Sequence, residues 1–169
     1  MRKGFVVAVV IGLIANLIPD QAHSQSVLQK AKEGETARVR SDDGDMEAAK
    51  RRARSTLPQF LALARDPKPG MSGFAAKIGV PHEDGNEFLW MNPLEFKGDR
   101  IIGTINNEPR YAKNVKYRQR ISFRETDIVD WMYRQDGKMK GNHTACALLK
   151  RDTPANREAF RREYGLECD

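Results

Sequence analysis

Residues 127–149 read DIVDWMYRQDGKMKGNHTACALL, and the fold follows from how this stretch divides. Asp136-Gly137 lies between Trp131 to Gln135 and Lys138 to Gly141. Asp-Gly between two short segments predicts a hairpin, because both central residues of a type I′ turn need positive φ. Beyond Gly141, the side chains of Asn142, His143 and Thr144 offer caps for Ala145 to Leu149, a run of good helix formers. The stretch therefore predicts strand, turn, strand and a short buried helix. Aromatics, a histidine and a cysteine crowd into it, yet no catalytic motif emerges.

Upstream, Met46, Ala49, Ala53, Leu57, Phe60 and Ala64 recur at three- and four-residue steps and predict a helix over 45–64 with one apolar face. Its other face carries Lys50, Arg51, Arg52 and Arg54, a charge run that a solvated helix face explains. Pro58 lies inside the pattern and predicts a kink or a break there. Phe74, Ala76, Ile78 and Val80 then alternate as a half-buried strand, Glu83 to Asn86 make a turn, and Glu87 to Met91 return. Leu94 to Phe96 and Ile101 to Ile105 flank a further turn at Lys97-Gly98-Asp99.

Asn106 to Pro109 should interrupt the sheet, since proline cannot donate to a ladder. Basic and apolar residues interleave from Tyr111 to Phe123, which reads as an edge strand guarded by charge or as a polyanion contact. Downstream of the hairpin, Thr153-Pro154 and Gly165 mark the start and end of a last helix. Together these predict an α+β fold, a twisted antiparallel sheet of about five or six strands packed with about three helices.

The run DWMYRQDGKMKGNHTACALL, together with IIGTINNEP at Ile101 to Pro109 and the helix containing ARSTLPQFL, resembles the YegJ-like family of bacterial domains of unknown function. The likeness covers most of the chain after about residue 45 and is most specific at Asp130 to Tyr133 and Gly141 to Thr144. His143 stands where that family's pattern leads one to expect tyrosine. The resemblance implies a fold unit and supplies no catalytic residues, because the family has no assigned activity.

Met1-Arg2-Lys3, an apolar run to Ile18 and the small residues of Ala22-His23-Ser24 have the layout of a secretory signal peptide. The run is about 15 residues, short of the ~20 that an uncleaved membrane anchor needs. The expected organisation is a signal peptide over 1–24, a flexible polar leader over 25–44, and a single domain over 45–169. Cleavage near Ser24 would deliver the chain to the periplasm or the medium with no transmembrane segment. It would lower the net charge from +6 only to about +5. A basic exported protein could meet an anionic envelope component or a protein partner; charge that merely keeps it soluble is the plainer reading, and nucleic acid is the least expected partner.

Cys146 and Cys168 are the two cysteines, and export would place them where disulfides persist. A bridge between them would close about 23 residues and contribute on the order of 3 kcal/mol. Two thiols with His23, His82 and His143 scattered along the chain do not make a metal site, and no metal or cofactor is expected.

Neither GxSxG, HExxH nor a phosphate-cradling glycine loop occurs. No residue is therefore assigned to catalysis. A binding or interaction module of the cell envelope is the expected function, with Asn107, Glu108, Asp130, Trp131, Tyr133, Asn142, His143 and Thr144 as candidate binding residues. Core packing is the competing role for the aromatics, and helix capping for the polar residues. The alternative is a small hydrolase-like enzyme with a pocket around His143, Asp130 and Glu108, which requires those three to converge.

Overall fold

The computed structural model describes residues 26, 27, 29 and 43–168. The signal-peptide reading of 1–24 lies outside the described residues, as does most of the leader. Where the leader is described, the Val27 N–H donates to Asp152 Oδ2 at 2.9 Å and its side chain packs on the Phe160 cluster.

Two helices come first, α1 (Gly44–Ser55) and α2 (Leu57–Arg65). The break expected near Pro58 falls at Thr56, and Pro58 sits in the first turn of α2, where its missing N–H would have no partner anyway. Asp43 caps α1, accepting from the Met46 N–H at 3.1 Å.

Strands β1 (Met71–His82), β2 (Gly85–Lys97), β3 (Arg100–Ile105), β4 (Arg120–Phe123), β5 (Ile128–Gln135) and β6 (Lys138–Gly141) follow, then α3 (His143–Leu149) and α4 (Pro154–Tyr164). They form one antiparallel sheet in the order β4-β3-β2-β1-β5-β6, so the fold is the α+β class that the sequence predicts.

The segments expected as separate strands at Glu87 to Met91 and Leu94 to Phe96 are one long strand, β2. Its register with β3 shifts between Met91 and Leu94, across a cis Asn92-Pro93 bond. Asn92 holds this irregular point against β1 by donating from Nδ2 to the Phe74 carbonyl at 2.7 Å. The basic stretch before Phe123 contributes only β4, four residues at the sheet edge, and 106–119 is irregular.

The main core lies between the sheet and α2. Trp131 is 8% exposed, stacks on Phe60 with ring centroids 5.1 Å apart, and donates from Nε1 to the Ala53 carbonyl at 2.9 Å. A second cluster of Met139, Ala145, Leu149, Phe160 and Leu166 joins β6, α3 and α4. There Cys146 and Cys168 form a disulfide with Cα atoms 5.5 Å apart.

Candidate functional site

The hairpin has the backbone its sequence demands. Asp136 and Gly137 take φ of 50° and 80°, which sets Met132 opposite Gly141 and brings the chain back along β5. Gly141 itself must be glycine: its φ is +79° and a Cβ would lie 2.2 Å from the Trp131 carbonyl oxygen. From Gly141 the chain enters α3 directly beneath Asp130.

Asp130 is opposite Lys77 on β1, and Lys77 is opposite Trp90 on β2, so three side chains share one face in a row across three strands. The Lys77 ammonium lies 4.5 Å from the Trp90 ring centroid and donates to Thr144 Oγ1 at 2.6 Å. Thr144 Oγ1 in turn donates to Asp130 Oδ2 at 2.6 Å. The same carboxylate accepts the Thr144 N–H at 2.8 Å, the His143 N–H at 3.2 Å and the Trp131 N–H at 2.9 Å. Burial pushes the Lys77 pKa below its ordinary value; Asp130 opposes that shift and Lys50 adds to it.

Asp130 thus supplies the cap of α3. Asn142 cannot, because an N-cap side chain reaches the first-turn N–H groups from extended backbone, and Asn142 is left-handed at φ 53°, ψ 44°. Its side chain turns inward instead, donating to Met139 Sδ at 3.4 Å. The His143 ring packs edge-on against Trp131 at 5.4 Å, a contact that a tyrosine ring at this position could also make.

Five candidate residues therefore meet at one junction: Asp130, Trp131, Asn142, His143 and Thr144. Tyr133 lies further along β5, stacked on Phe74 at 5.1 Å. Asn107 and Glu108 belong to another place. Asn107 Oδ1 accepts the Trp90 N–H at 2.8 Å and so extends the ladder of β2, two strands away from Asp130. Glu108 is exposed, and among the described residues no hydrogen bond or ion pair links it to Asp130 or His143.

Lys77 and Glu87 were invisible in this role from sequence. Lys77 occupies the outward phase of an alternating strand, where lysine reads as solvated. Glu87 follows a polar turn, yet it is 3% exposed and accepts the N–H groups of Arg110, Tyr111 and Ala112 at 2.9 Å each.

Beside the junction, α1, β6 and α3 enclose a cleft of about 320 Å³ with His143 and Cys146 in its wall. Among the described residues no three His, Cys, Asp or Glu side chains gather as metal ligands, and no helix is long and apolar enough to cross a membrane.

Fold and junction together define an α+β domain in which a buried acid holds a helix start to the sheet. The chain belongs to the DUF2314 family, described as uncharacterized proteins conserved in bacteria, whose model matches residues 43–168. It is 30% identical over 108 residues to the uncharacterized protein YegJ of Escherichia coli K12, covering 64% of this chain and 69% of that protein. It is 31% identical over 98 residues to a putative ankyrin repeat protein of Neisseria meningitidis serogroup B, covering 54% of this chain and 39% of that one. No solved structure matches it.

Proposed function

We propose that the protein is an exported, non-catalytic binding module of the bacterial cell envelope. The observation that carries this reading is the state of Asp130. A general acid or base must reach a substrate proton, but this carboxylate is 0% exposed and its two oxygens accept four hydrogen bonds from the protein itself. Glu108 lies apart from His143 and Asp130, so the three residues that the hydrolase alternative needs do not converge. Export is supported by the basic and apolar start, by Ala22-His23-Ser24 and by the Cys146–Cys168 bridge, which suits an oxidising compartment.

The test is to express the tagged chain in its own host, fractionate the cells and crosslink before extraction. The expected result is a terminus at Gln25 or within a few residues, an oxidised cysteine pair and an envelope component crosslinked to the protein. An intact Met1 with two alkylatable thiols would remove export. Turnover of an ester, amide or glycoside that disappears in a folded His143→Ala variant would replace binding by hydrolysis.

A further inference from the structure

The cleft between α1, β6 and α3 takes its charge from four cations on three elements. Arg52 comes from α1, Lys138 and Lys140 from β6, and Lys150 from the end of α3. Two acids line it as well, Asp45 and Glu167, and both are loosely engaged there. Lys150 lies 3.5 Å from Asp45, and Lys138 lies 3.6 Å from Glu167. A charge-assisted hydrogen bond closes to about 2.7–2.9 Å, so these are exposed pairs that a stronger anion can displace. Asp45 has a closer partner outside the lysine pair, Arg151 at 3.1 Å. Lys140 has no ion-pair partner among the described residues.

Beneath the cations the floor is apolar. Ala49, Met139 and Ala147 are buried there, and the disulfide at Cys146 pins the tail that carries Glu167. At about 320 Å³ the cleft is at the small end of ligand sites, room for one compact group and not for an extended chain. Lysine ammoniums act as point charges toward phosphate, whereas a single carboxylate is best matched by one arginine fork. Lys140, with Lys138 and Lys150 drawn from their loose pairs, brings three ammoniums to one small cavity, more donors than the two oxygens of a carboxylate can use.

We propose that this cleft binds a phosphate ester group carried by an envelope component, a ligand site that deepens the binding-module reading and rests on it. The two sources of such a group are a phospholipid headgroup and a soluble or polymer-borne phosphate.

The test uses the oxidised mature protein, with glycerol 3-phosphate and vesicles of phosphatidylethanolamine with or without phosphatidylglycerol as probes. Amide shifts should centre on Lys140, Gly141 and Ala147. Arg52→Glu combined with Lys140→Glu should weaken binding by about tenfold or more, and added salt should weaken it further. Lys113→Glu with Lys116→Glu makes the same charge change on the 106–119 segment and should alter it by less than about twofold. Binding of glycerol 3-phosphate together with the anionic vesicles assigns the source to lipid; glycerol 3-phosphate alone assigns it to soluble or polymer phosphate. Equal losses in the two variant pairs, shifts away from the cleft, or acetate binding as tightly as phosphate would overturn the site. An envelope crosslink that survives Arg52→Glu with Lys140→Glu would remove the cleft and leave the binding-module reading standing. Phosphate binding in the cleft of a chain that is never exported would do the reverse.

Discussion

Glu87 and Asp130 are both buried acids on the sheet, and each ties non-strand backbone to it, by different means. Glu87 on β2 faces three successive N–H groups, those of Arg110, Tyr111 and Ala112, a concave backbone nest suited to an anion. Asp130 on β5 takes the first two N–H groups of α3 and the Thr144 hydroxyl, with the Lys77 ammonium behind that hydroxyl. The first arrangement fastens a surface segment along one end of the sheet. The second fastens a helix that is itself covalently tied to the tail. Burial of the acid is the same, but the amount of structure that depends on it differs.

Removing each acid should expose that difference. Asp130→Ala leaves a buried ammonium without its counter-charge and α3 without its cap, so we predict a loss of about 3–5 kcal/mol in urea unfolding. In Glu87→Ala, water can reach the exposed Arg110 and the half-buried Tyr111, and the full penalty falls on the buried Ala112 N–H. We predict about 1–3 kcal/mol, with faster hydrogen exchange at 110–112 and unchanged exchange in α3. Equal global losses from the two substitutions would break the comparison.

Reduction of Cys146–Cys168 should act on the Asp130 end alone. The bridge closes 22 residues of sequence separation, for which chain entropy gives on the order of 3 kcal/mol. The predicted outcome is a lower melting temperature, with exchange accelerated in α3 and in Leu166, which bridges to Met139, while 110–112 stay protected. Acceleration at both ends would mean that the domain opens as one unit.

The parts of the fold that local chemistry decides were legible. Asp136-Gly137 forces the turn, Thr153 accepts the Asn156 N–H at 3.2 Å to cap α4, and Gly165 ends it at φ 69°. Phe74 to Val80 alternate because one face of β1 meets the core. What stayed hidden depends on which strands become neighbours. Lys77 finds Asp130 only because β1 pairs with a strand some fifty residues later, and nothing within either strand encodes that. The same holds for Asn107, whose side-chain oxygen supplies the acceptor for the Trp90 N–H of β2. Asp130, a candidate binding residue in the sequence, lies beside His143 and Thr144, but its carboxylate accepts from the start of α3, the Thr144 hydroxyl and the Trp131 N–H, and Glu108 is not among its partners.

Lys77 offers a finer probe of the Asp130 end. Its folded pKa is lowered, first by burial, against an ordinary value of 10.5. Between those two values the unfolded chain binds more protons than the folded one, so stability rises with pH across that window. Below the window the cost of the buried ammonium is present in full. Lys77→Met should flatten the alkaline rise relative to the unchanged protein in urea titrations from neutral pH upward, while Glu87→Ala should leave it intact. An alkaline profile identical in Lys77→Met would place the titrating group elsewhere.

The smallest expected effect concerns the far side of α3, where Arg151 grips Asp43 and Asp45 at the start of α1. Hydrogen bonds from the Arg151 guanidinium, and then from the Met46 N–H, hold the Asp43 carboxyl down at about 2, against an ordinary 3.8. A depressed carboxyl contributes stability that is complete above its unfolded value and is lost as pH falls through its folded one. The relevant window is therefore pH 3.8 down to about 2. Arg151 is 52% exposed, so solvent and salt screen the pair and its worth is modest. Arg151→Ala should raise the midpoint of acid unfolding by a few tenths of a pH unit at low ionic strength, and by less in high salt. No shift at either ionic strength would assign the depressed carboxyl to the capping bond with Met46 alone. In that case α1 would be held to α3 by Met46, Ala49 and Ala147 packing rather than by charge.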